Sequence, residues 1–81
     1  MYTINYSLDH NKGWEKYGLH FNSLWAAVFT ARAICTQHWA ATDVIDNNTG
    51  VVLVSFNRTG GYYVDEELPE DIKKLASLPI E

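Results

Sequence analysis

The sequence predicts an α+β fold: one long helix packed on a four-stranded, mainly antiparallel sheet, in the order β-β-α-β-β, with a short C-terminal helix. Three observations carry this. Residues 2–8 alternate strictly between apolar and polar, residues 22–40 contain neither glycine nor proline, and Asn47-Asn48-Thr49-Gly50 separates two apolar runs. Alternation at period two marks a half-buried strand, a long apolar-periodic run marks a helix, and a short Asn/Gly-rich loop between two runs marks a hairpin.

Tyr2, Ile4, Tyr6 and Leu8 fall on one face of the first strand. Asp9 to Gly13 has the composition of a turn. The run from Trp14 to Phe21 then places Tyr17, Leu19 and Phe21 on one face and Gly18 and His20 on the other, which closes a first hairpin. Asn22 and Ser23 are good N-caps, so a helix starts there and runs to about Trp39 or Ala40. At 100° per residue its apolar arc centres on Leu24, Val28, Ala31 and Cys35 and includes Trp39. Ala27, Ile34 and His38 flank one side of the arc, and Trp25 and Phe29 the other. The opposite face is Ala26, Thr30, Ala33, Gln37 and Ala40, and Arg32 is the only charged residue on the helix. A helix lying on a sheet ordinarily carries several charges on its outer face.

Thr42–Asp46 and Val51–Phe56 form the second hairpin, with Gly50 free to take positive φ. Thr59-Gly60-Gly61 is a break, and Tyr62–Val64 is a candidate short edge strand. Leu68-Pro69-Glu70-Asp71-Ile72 reads as a helix start, with proline in the first turn and acids at the positive end of the helix dipole. Leu68, Ile72, Leu75 and Leu78 form its apolar stripe, which Pro79 ends. The crossover between hairpins allows one parallel pairing, and strand order stays open.

At 81 residues the chain is a single small domain, residues 1–81, of which 65–81 form an acidic C-terminal segment. The net charge of −4 belongs wholly to that segment, because residues 1–64 hold as many Lys and Arg as Asp and Glu. A neutral body lacks the phosphate-binding footprint of a nucleic-acid binder. A core this small gains from a disulfide, a metal or a partner. One cysteine excludes an internal disulfide, and the His and Cys spacings match no structural zinc site. No cofactor motif is present: Gly60-Gly61 lacks the frame of a phosphate-binding loop. The most apolar stretch, Leu24 to Cys35, is too short to span a bilayer, and no basic segment leads into an apolar run at the start. The expectation is a cytoplasmic protein with no membrane contact.

Cys35 and His38 share a helix face at a spacing that suits a nucleophile and its base. Cys35 lies at the centre of the core-facing arc, however, where a free thiol acts as a small hydrophobe, so no catalytic residue is assigned. The candidate partner-binding residues are instead on the helix. Ala26, Ala33 and Ala40 recur every seven residues on the outer face, where small side chains admit a second helix to close range. That helix is either the C-terminal one or the same helix of a second copy in a two-fold homodimer. Trp25, Phe29 and Arg32 form a neighbouring cluster of residue types that dominate binding hot spots. The expected function is therefore non-enzymatic: stoichiometric protein binding by a small, self-associating regulatory protein. The alternative is a nucleic-acid-binding module that stacks bases on sheet-face aromatics Trp14, Tyr17 and Tyr62.

Overall fold

The computed structural model describes residues 1–8, 13–59 and 61–78. The expected turn at residues 9–12, His10, Gly60, the Pro79 stop and Glu81 lie outside the described residues. The elements are β1 (Tyr2–Ser7), β2 (Glu15–Phe21), α1 (Leu24–His38), β3 (Ala41–Asp46), β4 (Val52–Phe56), β5 (Tyr62–Val64) and α2 (Glu70–Ser77).

The class is α+β, and the sheet has five strands where four were expected. Tyr62–Val64 pairs fully with β4, Val54 opposite Val64 and Phe56 opposite Tyr62. The order is β2-β1-β3-β4-β5, and every neighbouring pair is antiparallel. β2 and β3 do run in the same direction, as a helical crossover requires, but β1 lies between them. The parallel pairing that the crossover allowed does not form, and β1 pairs antiparallel with both instead.

The core follows from the register. Ile4, Val44, Val54 and Val64 form one row across β1, β3, β4 and β5, and the first three are fully buried. α1 lies over this row and buries Ala27, Val28, Ala31 and Cys35, with Leu24 and Ile34 at the margin. The two alanines remove side-chain bulk where helix and sheet approach. Thr42, fully buried on β3, donates its hydroxyl to the Ala31 carbonyl at 3.1 Å. A polar side chain deep in the helix–sheet layer is thereby satisfied. α2 packs on α1 and β5 through Ile72, Leu75 and Ala76.

Three local expectations change. α1 stops at His38, and Trp39 takes the left-handed conformation (φ 54°, ψ 39°). Trp39 therefore leaves the core-facing arc and is 72% exposed. Ala40, expected on the outer helix face, follows the cap and is fully buried. On β2, Thr3 faces His20 while Asn5 faces Lys16, so the strand holds extra residues between those pairs. The bulge leaves Leu19 59% exposed, although Tyr17 and Phe21 stack at 6.3 Å against the core.

Ser23 caps α1 by accepting a hydrogen bond from the Ala26 backbone N–H at 3.2 Å. Ser23→Ala is expected to cost about 1 kcal/mol in a denaturant titration, and Phe56→Ala about 3–5 kcal/mol as the largest fully buried side chain is removed. Equal losses for the two would contradict the assigned core.

Candidate functional site

The five-strand register brings four of the exposed apolar residues to one end of the sheet. A single row runs Glu15, Tyr6, Thr42, Phe56, Tyr62 across all five strands. Trp14 immediately precedes this row on β2, Leu8 follows it on β1, and the α1–β3 connection with Trp39 enters it from above. Leu8, Trp14, Trp39 and Tyr62 each expose half or more of their surface. Four separate stretches of chain thus present large apolar groups at one end of the molecule, next to His38 and Arg58. Arg58 donates to the Ser7 carbonyl at 2.6 Å, which ties the β4–β5 connection to β1 at this same end.

Trp39 is the most informative member. It is the one non-glycine residue with positive φ among those described, and of the exposed large apolar residues it is the most exposed. The left-handed conformation costs an L-residue about 1–2 kcal/mol relative to glycine. The two-residue join between α1 and β3 calls for a left-handed, outward-facing residue there, but it does not call for an indole where glycine would be unstrained. Outliers of this kind concentrate at binding and functional sites.

The residues picked out on α1 are divided. Trp25 and Phe29 stack with ring centroids 5.2 Å apart and planes 12° from parallel, and both are about half exposed. Arg32 turns to the neighbouring helix, donating to the Leu78 carbonyl at 3.1 Å, so it neither pairs with Asp43 or Asp46 nor joins the stack. Ala26 and Ala33 are partly exposed and remain available on the outer face, whereas Ala40 does not share it. α2 does not cover this face. Its Ile72 and Leu75 enter the core on the opposite flank of α1.

Trp14, Tyr17 and Tyr62 do not form a stacking platform on the open sheet face. Tyr17 packs on the core side with Phe21, and Tyr62 shares the face of its partner Phe56, which is the helix side. The open face is polar instead. It carries Thr3, Asn5, Ser7, Asp43 and Ser55, cross-linked by bonds from Thr3 to Asn47 (2.6 Å) and from Ser55 to Asp43 (2.7 Å). A shallow depression there includes Lys16, Gly18 and His20, and Tyr17 on the edge strand also borders it.

A groove of about 370 Å³ separates α1 from the first hairpin, lined on the helix by Thr30, Ala33, Ile34 and Gln37 and on the sheet side by Tyr6, Leu8 and Tyr17. The Tyr6 hydroxyl hydrogen-bonds to the Glu15 carboxylate. That bond, the carboxylate's charge and burial all push the Tyr6 pKa up. His38 borders the groove while His20 belongs to the opposite face of the sheet, so these two histidines do not converge. Among the described residues no three His, Cys, Asp or Glu side chains come together in a way that holds a metal ion.

Cys35 is buried, and its thiol meets the Asn57 carbonyl at 3.3 Å. Burial pushes its pKa up, against a smaller opposing effect of Arg32. A buried, protonated thiol is a poor nucleophile.

Among the described residues no helix is long and apolar enough to cross a membrane. Comparison with known protein families, with characterised proteins and with solved structures finds no match to this chain.

The raised Cys35 pKa has a defined consequence for stability. As pH rises past the ordinary thiol value of 9.0, the unfolded thiol ionises before the folded one, which favours the unfolded state. Wild-type stability should then fall relative to Cys35→Ala between that value and the raised one, with no such divergence at pH 7. Parallel denaturation curves at all pH values would refute the assignment.

Proposed function

We propose that this protein acts without covalent chemistry, as a small domain that binds another protein stoichiometrically, and that the aromatic end of the sheet is the contact surface. The observation that carries this reading is Trp39, both strained and 72% exposed. Leu8, Trp14 and Tyr62 at the same end extend one indole into a surface. Aromatic residues bring large, nearly rigid contact area and dominate the energetic centres of protein interfaces. The partner would present a complementary apolar patch. Arg58 and His38 beside the surface are suited to a polar rim.

The protonated, buried thiol of Cys35 argues against the enzymatic reading. The nucleic-acid alternative is the less favoured, because Tyr62 lies on the helix side of the sheet, away from the open face that Tyr17 borders. A basic groove is also lacking in a chain with six Lys and Arg against ten Asp and Glu.

Trp39→Gly tests the reading directly, since glycine adopts the left-handed cap without strain. The variant is expected to be more stable than wild type by about 1 kcal/mol. It should nevertheless lose at least tenfold in affinity for the protein that wild type retains from cells producing it, measured by calorimetry with that protein purified. A one-to-one complex formed equally well by both would overturn the proposal.

A further inference from the structure

The groove between α1 and the first hairpin opens onto the aromatic end, because Leu8 and His38 belong to both. Tyr6 and Tyr17 form its sheet side, and Trp39 follows His38 at its mouth. Two phenol rings and an exposed indole thus succeed one another along a single path. The polar tips on that path have no internal task. The Tyr17 and Thr30 hydroxyls, the Gln37 carboxamide and the Trp39 indole N–H make no hydrogen bond to another described residue. All of them can donate.

The three common ways of docking a segment of chain fit this surface unequally. An added strand needs a regular open edge, but β2 is bulged and carries Lys16, and β5 is three residues long. A docked helix is about 10–12 Å across and lays an apolar face into an apolar trough. A groove of about 370 Å³ with threonine and glutamine on its wall offers little of either. A polyproline II segment is slender and makes no internal hydrogen bonds, so its carbonyls turn to outside donors while its rings pack on aromatic faces. Charge adds a direction. No Asp, Glu, Lys or Arg lines the groove, and the exposed Glu15 stands at its hairpin side with its carboxylate bonded to Tyr6. One phenol leaves most of a carboxylate's accepting capacity unused. Lys16 belongs to the opposite face of the sheet.

We infer that the groove takes a proline-rich segment of the partner in the polyproline II conformation, with an arginine or lysine of that segment beside Glu15. Prolines pack on Tyr6, Tyr17 and Leu8, and Thr30 and Gln37 donate to carbonyls from the helix wall. The segment then leaves the groove over Trp39. This names the chemistry of the partner and rests on the contact surface proposed above.

Decaproline with one terminal arginine, titrated into the full chain by calorimetry, should bind with a Kd on the order of 0.1 mM. Thr30→Phe fills the groove from a part-exposed helix position, so it should stay folded by circular dichroism and lose about tenfold in affinity. Trp39→Gly should lose as much, and Trp25→Ala, on the other flank of α1, should bind as wild type does. Glu15→Gln should abolish the preference for the arginine-bearing probe over decaproline alone. A glycine–serine peptide with the same terminal arginine should not bind. Absence of binding at millimolar probe overturns the inference, as does equal binding of the glycine–serine peptide or a Thr30→Phe variant that binds unchanged. If decaproline fails while Trp39→Gly still loses the protein retained from cells, the contact surface stands and only the proline-rich occupant falls.

Discussion

The close approach of α1 to the Ile4–Val44–Val54 row governs the rest of the molecule. Ala27 and Ala31 make that approach possible, and the Thr42 hydroxyl bound to the Ala31 carbonyl fixes β3 beneath a particular turn of the helix. Because β2 and β3 flank β1, the helix must carry the chain across β1 and then return it to the sheet at once. Only Trp39 and Ala40 separate His38 from the first residue of β3. A reversal in two residues leaves the backbone little choice. One residue takes the left-handed conformation to end the helix, and the next is drawn into the layer, which is why Ala40 is fully buried and Trp39 stands out in solvent.

The same placement explains the asymmetry of the helix layer. With α1 over the central strands and α2 held against β5 by Ile72, Leu75 and Ala76, the layer is closed on one flank and open on the other. Arg32 sits on the closed flank, where its hydrogen bond to the Leu78 carbonyl serves the join between the two helices. The open flank has the opposite chemistry. Its helix wall is alanine, threonine, isoleucine and glutamine with His38 at the end, its floor is tyrosine with Leu8, and the Glu15 carboxylate is engaged by Tyr6. The lack of charge on α1, odd for a helix facing water alone, is thus concentrated on the flank where the sheet is uncovered.

Much of this fold can be read from local pattern, because local pattern reports which face of an element is buried. The alternation of residues 2–8, the Ser23 cap, the core positions Val28, Ala31 and Cys35, and the Asn47–Gly50 hairpin all depend on neighbours in sequence. What escaped depends on register and on connection length. Periodicity extends the helix to Trp39 and Ala40, since neither residue breaks a helix, and only the need to enter β3 directly ends it at His38. Tyr17 and Tyr62 look like sheet-face aromatics until pairing with the core residues assigns them to the helix side. The aromatic end is the hardest feature to foresee. Leu8, Trp14, Trp39 and Tyr62 lie far apart in sequence and meet only because β1, β2, β3 and β5 begin or finish in one row. A single clue was available: an indole followed by a small residue between a helix and a strand.

The distribution of charge gives these surfaces a direction. Exposed apolar groups promote indiscriminate association unless something opposes it, and net charge is the usual opposing force. Here the excess negative charge is confined to the stretch after β5, where Asp65, Glu66, Glu67, Glu70 and Asp71 outnumber Lys73 and Lys74. One flank therefore repels its own kind, while the β2 flank and the aromatic end are close to neutral. Screening at physiological salt confines that repulsion to within about 8 Å of the surface, so it acts on approach to the α2 flank and little elsewhere. An 81-residue chain with all three of its tryptophans substantially exposed can then remain selective in how it associates, because its net charge opposes the approach of like-charged surfaces on the flank where Tyr63 and Leu78 are also half-exposed.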